Sequence, residues 1–219
     1  MEKKSTATRT AHCLVLAFPA HGHINPLLQF SKLLVHQGVR VTFVTTIFHA
    51  KIMQKVPPSI ALETISDGFD EVGLAGAVSL KAYAEKFCEV GPLTFGELLE
   101  KLGTSKDEHV DCVVYDSFIP WALDVAKRFG IVGAAYLTQN MTVNSIYYHV
   151  HTGKLQVPLI QHEFSLPTLP KLQPHDLPTF FLTYERKQFL LQYPVAQFSN
   201  IEKADWILCN TFYEMDKEV

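Results

Sequence analysis

Short runs rich in apolar and β-branched residues recur along this chain of 219 residues, at 12–19, 39–46, 60–66, 111–116, 131–138 and 204–212. Each is too short for a buried helix and is bounded by Gly, Pro, Asn or Asp, so each reads as a strand. Between them the apolar period lengthens. Leu27, Phe30 and Leu34, with Leu28 and Val35, recur at helical spacing, and Gly38 stands where that helix should stop. Parallel strands need long crossovers, so strands alternating with helices imply a sheet wound on both sides. The predicted class is α/β, a Rossmann-like doubly wound parallel sheet.

The spacing predicts a first helix with Asn25 as N-cap and Pro26 at its first helical position. A long helix over 78–102 should break near Gly91-Pro92. "IPWALDVAKRFG" and residues 139–150 are helical, and a helix within 185–200 should bend at Pro194. Two stretches are loops: the Gly- and Asp-rich "SDGFDEVGLAGA", and residues 157–178 with their five prolines. Residues 1–10 are expected to be a flexible start ahead of one domain, 11–219. The closing "YEMDKEV" reads as a new helix after a strand, which suggests one half of a larger molecule.

Composition narrows the partners. Apolar residues make up 47% of the chain, ample for a core, and the net charge of −3 comes from interspersed signs. No basic stripe marks a nucleic-acid surface. Four cysteines lie far apart without C-x-x-C spacing, which fits reduced thiols in the cytoplasm. The basic start and apolar run of "MEKKSTATRTAHCLVLAFPA" reads as a first strand rather than a signal peptide, because His12 and Pro19 interrupt it. No segment approaches the roughly eighteen apolar residues of a membrane span. "Asn140-Met141-Thr142" matches the glycosylation pattern, by chance in a cytosolic chain.

Topology then points to a site. In the commonest doubly wound order, 3-2-1-4-5, strands one and four are neighbours, and ligands bind at their carboxyl ends. The first of those ends carries "AHGHI" and the second closes on Asp116, so His23 and Asp116 should meet from remote parts of the chain. An imidazole, with an ordinary pKa of about 6.5, can take a hydroxyl proton near neutral pH. A carboxylate on its other nitrogen fixes the tautomer and stabilises the imidazolium. No G-x-S-x-G elbow marks a serine nucleophile, so the pair suits direct activation of a substrate hydroxyl. Free N–H groups at the start of the first helix, after Asn25, suit phosphate or sugar.

Plainer readings stand beside this one. A His-Gly-His turn is often a surface loop, and Asp116 alone suits an N-cap. His21 and His23 lack a third ligand at metal spacing. His149 and His151 read as solvated helix residues. The first turn is not G-x-G-x-x-G, which disfavours a dinucleotide cofactor.

Taken together, "FPAHGHINPLLQFSKLLVHQGVRVTFVTT", "ISDGFDE", "VVYDSFIPWALDVAKRFGI", "LTQN" and "ADWILCNTF" resemble the N-terminal domain of a plant UDP-dependent glycosyltransferase of family 1. The nearest likeness is to glucosyltransferases acting on small carboxylic acids, phenols and thiohydroximates. The resemblance implies inverting transfer of glucose from UDP-glucose to a small-molecule acceptor by a monomeric, two-domain GT-B protein without a metal. It places the base at His23, the orienting carboxylate at Asp116 and a donor-sugar contact at Thr138. It implies acceptor contacts from Phe18, Ala20, Gly22, the 78–85 segment, Asn140, Asn144, Tyr147, Phe180 and Phe181. The family's UDP-binding block is missing here, because it belongs to the C-terminal domain. An isolated half could thus be a binding module without turnover, and a hydrolase activating water would use the same pair.

Overall fold

The structure is a computed structural model that describes residues 9–53, 56–104, 109–184, 188–212 and 214. Residues 1–8 of the expected flexible start, and all but residue 214 of the helix expected in "YEMDKEV", lie outside the described residues.

The described strands are β1 (His12–Leu16), β2 (Arg40–Thr46), β3 (Ile60–Ile65), β4 (Cys112–Asp116), β5 (Val132–Leu137) and β6 (Trp206–Cys209). They form one sheet in the order β3-β2-β1-β4-β5-β6, with every pairing parallel. The predicted order holds, and β6 adds to the edge beyond β5. All five residues of β1 are buried, because helices cover both faces of this central strand.

Alternate side chains feed two core layers. Leu14, Leu16, Val113, Tyr115 and Ala135 pack with Phe87, Phe95, Leu98, Leu123 and Ala126 from α3 (Leu80–Gly103) and α4 (Trp121–Arg128). Cys13, Val15, Phe43, Val114, Ala134 and Tyr136 pack beneath Ile24 and Leu27 of α1 (His21–His36). Full burial of each large side chain contributes about 1.5–3 kcal/mol before entropy is counted. A third cluster joins α5 (Met141–His151) to the proline-rich loop, α6 (Thr179–Leu182) and α7 (Gln188–Val195).

Several expectations need correction. The helix α1 begins at His21, with extended Ala20 as its N-cap and no side-chain capping bond. Asn25 is therefore no cap and Pro26 lies inside the helix, which forgoes one bond of a sixteen-residue ladder. The helix α3 runs unbroken through Pro92, capped by Ser79, whose side chain accepts from the Ala82 N–H at 3.1 Å. Packing on α4 and the sheet outweighs the one lost bond. The short helices α2 (Ile47–Ile52) and α6 carried too few turns to show a period. Gly38 (φ +82°) and Gly130 (φ +69°) end their helices in the left-handed region, as expected.

Candidate active site

β1 and β4 are neighbours, so the turn after β1 and the last residue of β4 share one rim of the sheet. The turn at 17–20 leads straight into α1, which carries His23 in its first turn. Asp116 closes β4 and is completely buried. Its two oxygens have separate duties. Oδ1 accepts the Phe118 N–H at 3.0 Å, and Oδ2 lies 2.8 Å from His23 Nδ1. The plainer role considered for Asp116, an N-cap, is not the one it takes: Pro120 is the N-cap of α4, and Oδ1 instead closes a two-residue turn onto Phe118.

Thr138, one residue past β5, places Oγ1 3.1 Å from the same Nδ1. The carboxylate assigns the proton to Nδ1, which donates mainly to Asp116 and shares with Thr138. Nε2 is then the lone-pair nitrogen. It makes no hydrogen bond to a described side chain, and the imidazole keeps 14% of its surface open. A neutral histidine oriented by a buried carboxylate, with Nε2 free, is equipped to accept a proton from a ligand.

Aromatic rings pack around this imidazole. Phe18 meets the imidazole edge to face at 5.1 Å, and Phe118 lies at 4.6 Å. Both touch Tyr193 of α7, each at 5.8 Å between centroids, and Phe189 backs Tyr193 at 5.5 Å. Phe118, Tyr193 and Phe189 were missed by sequence reasoning. Phe118, two residues beyond the carboxylate, was the one with a local signal.

The other expected positions divide. Ala20 and Gly22 flank His21 at the start of α1, Ala20 partly exposed and Gly22 exposed. The absent cap leaves the His21 and Gly22 N–H groups at the helix start, and these replace the groups expected after Asn25. Asn140 is the N-cap of α5, accepting the Val143 N–H at 2.9 Å. Asn144 is buried and donates to the Gln139 carbonyl at 2.8 Å, while its Oδ1 has no partner among the described residues. It lines an apolar groove of about 420 Å³ whose walls include none of the residues around His23.

Tyr147 and Phe181 do not line an open site. Their rings stack at 6.1 Å and 6° inside the third core cluster, exposed by only 1% and 4%. They are corrected from acceptor contacts to core. Phe180 packs half-buried against that cluster. In the 78–85 segment Val78 is fully exposed, whereas Tyr83 turns inward and donates to buried Asp67 at 2.6 Å. His149 is also corrected: it is buried, and burial with nearby Lys154 pushes its pKa down.

No protein-family model matches the chain. Curated relatives match it almost end to end. The chain is 37% identical to UDP-glycosyltransferase 74F2 of Arabidopsis thaliana over 95% of its length and 45% of the relative's. It is 35% identical to a Siraitia grosvenorii mogroside I-E synthase over 100% of its length and 47% of that relative's. Among solved structures, Os79 from O. sativa in complex with U2F and trichothecene superposes with a TM-score of 0.84 at 30% identity. That match covers 94% of this chain and 48% of the other. The chain spans somewhat under half the length of the relatives it matches. Likeness in sequence along nearly every residue, and in backbone to half of a GT-B molecule, makes this chain a homologue of the N-terminal half of the plant family 1 UDP-glycosyltransferases.

Proposed function

We propose that this chain is the acceptor-binding half of a UDP-glucose-dependent inverting glycosyltransferase that uses His23 as general base. The observation that carries the reading is the open Nε2 of a histidine held by Asp116 and Thr138 through Nδ1. An acceptor hydroxyl beside Nε2 gives up its proton there as its oxygen attacks the anomeric carbon. The new carbon–oxygen bond forms on the face opposite UDP, the bond to UDP breaks, and UDP leaves with the electron pair. Buried Asp116 offsets the charge that develops on the imidazole.

In this reading Thr138 also faces the donor sugar, and Phe18, Ala20, Gly22 and Phe118 line the acceptor. Most of UDP-glucose is held by a C-terminal domain. No metal takes part, and a monomeric cytoplasmic protein is the working form. Among the described residues no helix is long and apolar enough to cross a membrane.

The test is a chimera joining this chain to the C-terminal half of the Arabidopsis relative, assayed for glucose transfer from UDP-glucose. With a phenol or alcohol acceptor, His23→Ala should lower kcat by about 10²–10⁴, the span of general-base catalysis. A carboxylic acid is already ionised at neutral pH, so its transfer should fall far less. Equal losses with both acceptors, or none with an alcohol, would refute the base.

A further inference from the structure

The helix α7 presents two faces of different character. Leu191 and Pro194 are buried, Leu191 in the third core cluster. Phe189 and Tyr193, one turn apart, lie on another face, their rings in mutual contact. The core contacts of α7 therefore fix where Tyr193 goes. Its ring reaches both aromatic walls of the histidine, Phe18 and Phe118. A phenol ring thus occupies the aromatic slot beside the proposed base. Burial, with Cys88 and Asp116 nearby, raises the Tyr193 pKa well above its ordinary range, so the occupant is neutral. The hydroxyl makes no hydrogen bond to a described residue, so the seating of α7 and ring packing together set its position.

We infer that Tyr193 is the specificity-determining residue for acceptor size: its ring closes the slot flanked by Phe18 and Phe118 and restricts the space at His23 to a small planar acceptor. The inference rests on the reading of His23 as the base of sugar transfer. A side chain that fills space discriminates through contact and cavity terms, worth about 1–3 kcal/mol per small group, or about 10- to 200-fold in kcat/KM.

The experiment compares a one-ring phenol (4-nitrophenol) with a three-ring phenol (2-anthrol) in the chimera. Tyr193→Ala should raise the three-ring to one-ring ratio of kcat/KM by at least about tenfold. Tyr193→Phe should leave it as in the parent, and Tyr193→Trp should depress one-ring transfer. An unchanged ratio in Tyr193→Ala, with transfer intact, overturns the inference and leaves the proposed function standing. If no variant transfers glucose to any acceptor, the function fails instead, and 2-anthrol binding to this chain, followed by fluorescence, decides the slot. Tightening of its dissociation constant by about tenfold in Tyr193→Ala supports the slot, and an unchanged constant rejects it. Should Tyr193→Ala fail to fold, Tyr193→Leu and Tyr193→Trp must move the ratio in opposite directions, and failure to do so rejects the slot as well.

Discussion

Asp116 shows how one side chain can set the chemistry of another. Its Oδ1 is committed to the Phe118 N–H and its Oδ2 to His23 Nδ1. In Asp116→Asn the main-chain N–H still demands an oxygen, so the amide oxygen takes the Oδ1 place and the NH₂ group turns toward His23. A donor facing Nδ1 forces the imidazole proton onto Nε2, the nitrogen that must stay bare. The expected result in the chimera is a fall in kcat of about 10²–10⁴ with a phenol acceptor, from the wrong tautomer rather than lost folding. Imidazole ¹⁵N shifts should show the proton moving from Nδ1 to Nε2 in the variant. An active Asn variant with its proton still on Nδ1 would contradict the orienting role.

Packing between elements decides what the helical pattern alone left open. The helix α3 holds together through Pro92 because its inner face is anchored on α4, and at Gly91 there is no room for a side chain. A Cβ there would lie 2.7 Å from Trp121 Cζ2 and 2.9 Å from Phe87, two rings already locked edge to face at 5.4 Å. Gly91→Ala gains about 1 kcal/mol of helix propensity and meets an overpacking cost of about 1–3 kcal/mol. The net expectation is destabilisation. Gly96, in the same helix, has open space around its Cβ, so Gly96→Ala should stabilise by up to about 1 kcal/mol. Urea midpoints of the two variants should move in opposite directions; a stabilised Gly91→Ala would show that the α3–α4 contact yields easily. Strand alternation and the crossover rule made the sheet order legible, and the order made His23 and Asp116 legible as a pair. The start of α1 was not legible, because Asn-Pro is a strong local signal and extended Ala20 is fixed by the turn after β1. Nor was the slot, since Phe18, Phe118 and Tyr193 are far apart in sequence and share no period. The stacked Tyr147 and Phe181 misled for the same reason: aromatics on a helix and after a loop look alike whether they meet a ligand or each other.

Across the whole molecule, ionisable groups away from the site should govern how the chain responds to acid. Burial lowers the pKa of His49, with Asp67 opposing, and burial and Lys154 lower that of His149. A histidine with a lower folded pKa binds fewer protons folded than unfolded. Its share of stability is therefore complete above the unfolded value of about 6.5 and declines as pH falls below it. Asp205 behaves in the complementary range. A hydrogen bond from Lys127 and another from the Gly133 N–H, at 2.7 Å, hold its carboxyl below the ordinary value. That contribution is present above the unfolded carboxylate value of about 3.9 and disappears as pH drops through the folded one. Acid destabilisation should thus come in two stages, one starting near pH 6.5 and one below about pH 4. Urea midpoints measured from pH 8 to pH 3 resolve them. His149→Gln should flatten the upper stage and leave the lower, whereas Asp205→Asn should do the reverse. If His149→Gln leaves the slope between pH 7 and pH 5 unchanged, the buried imidazole contributes nothing to the upper stage, and its protonation is met inside the fold without strain.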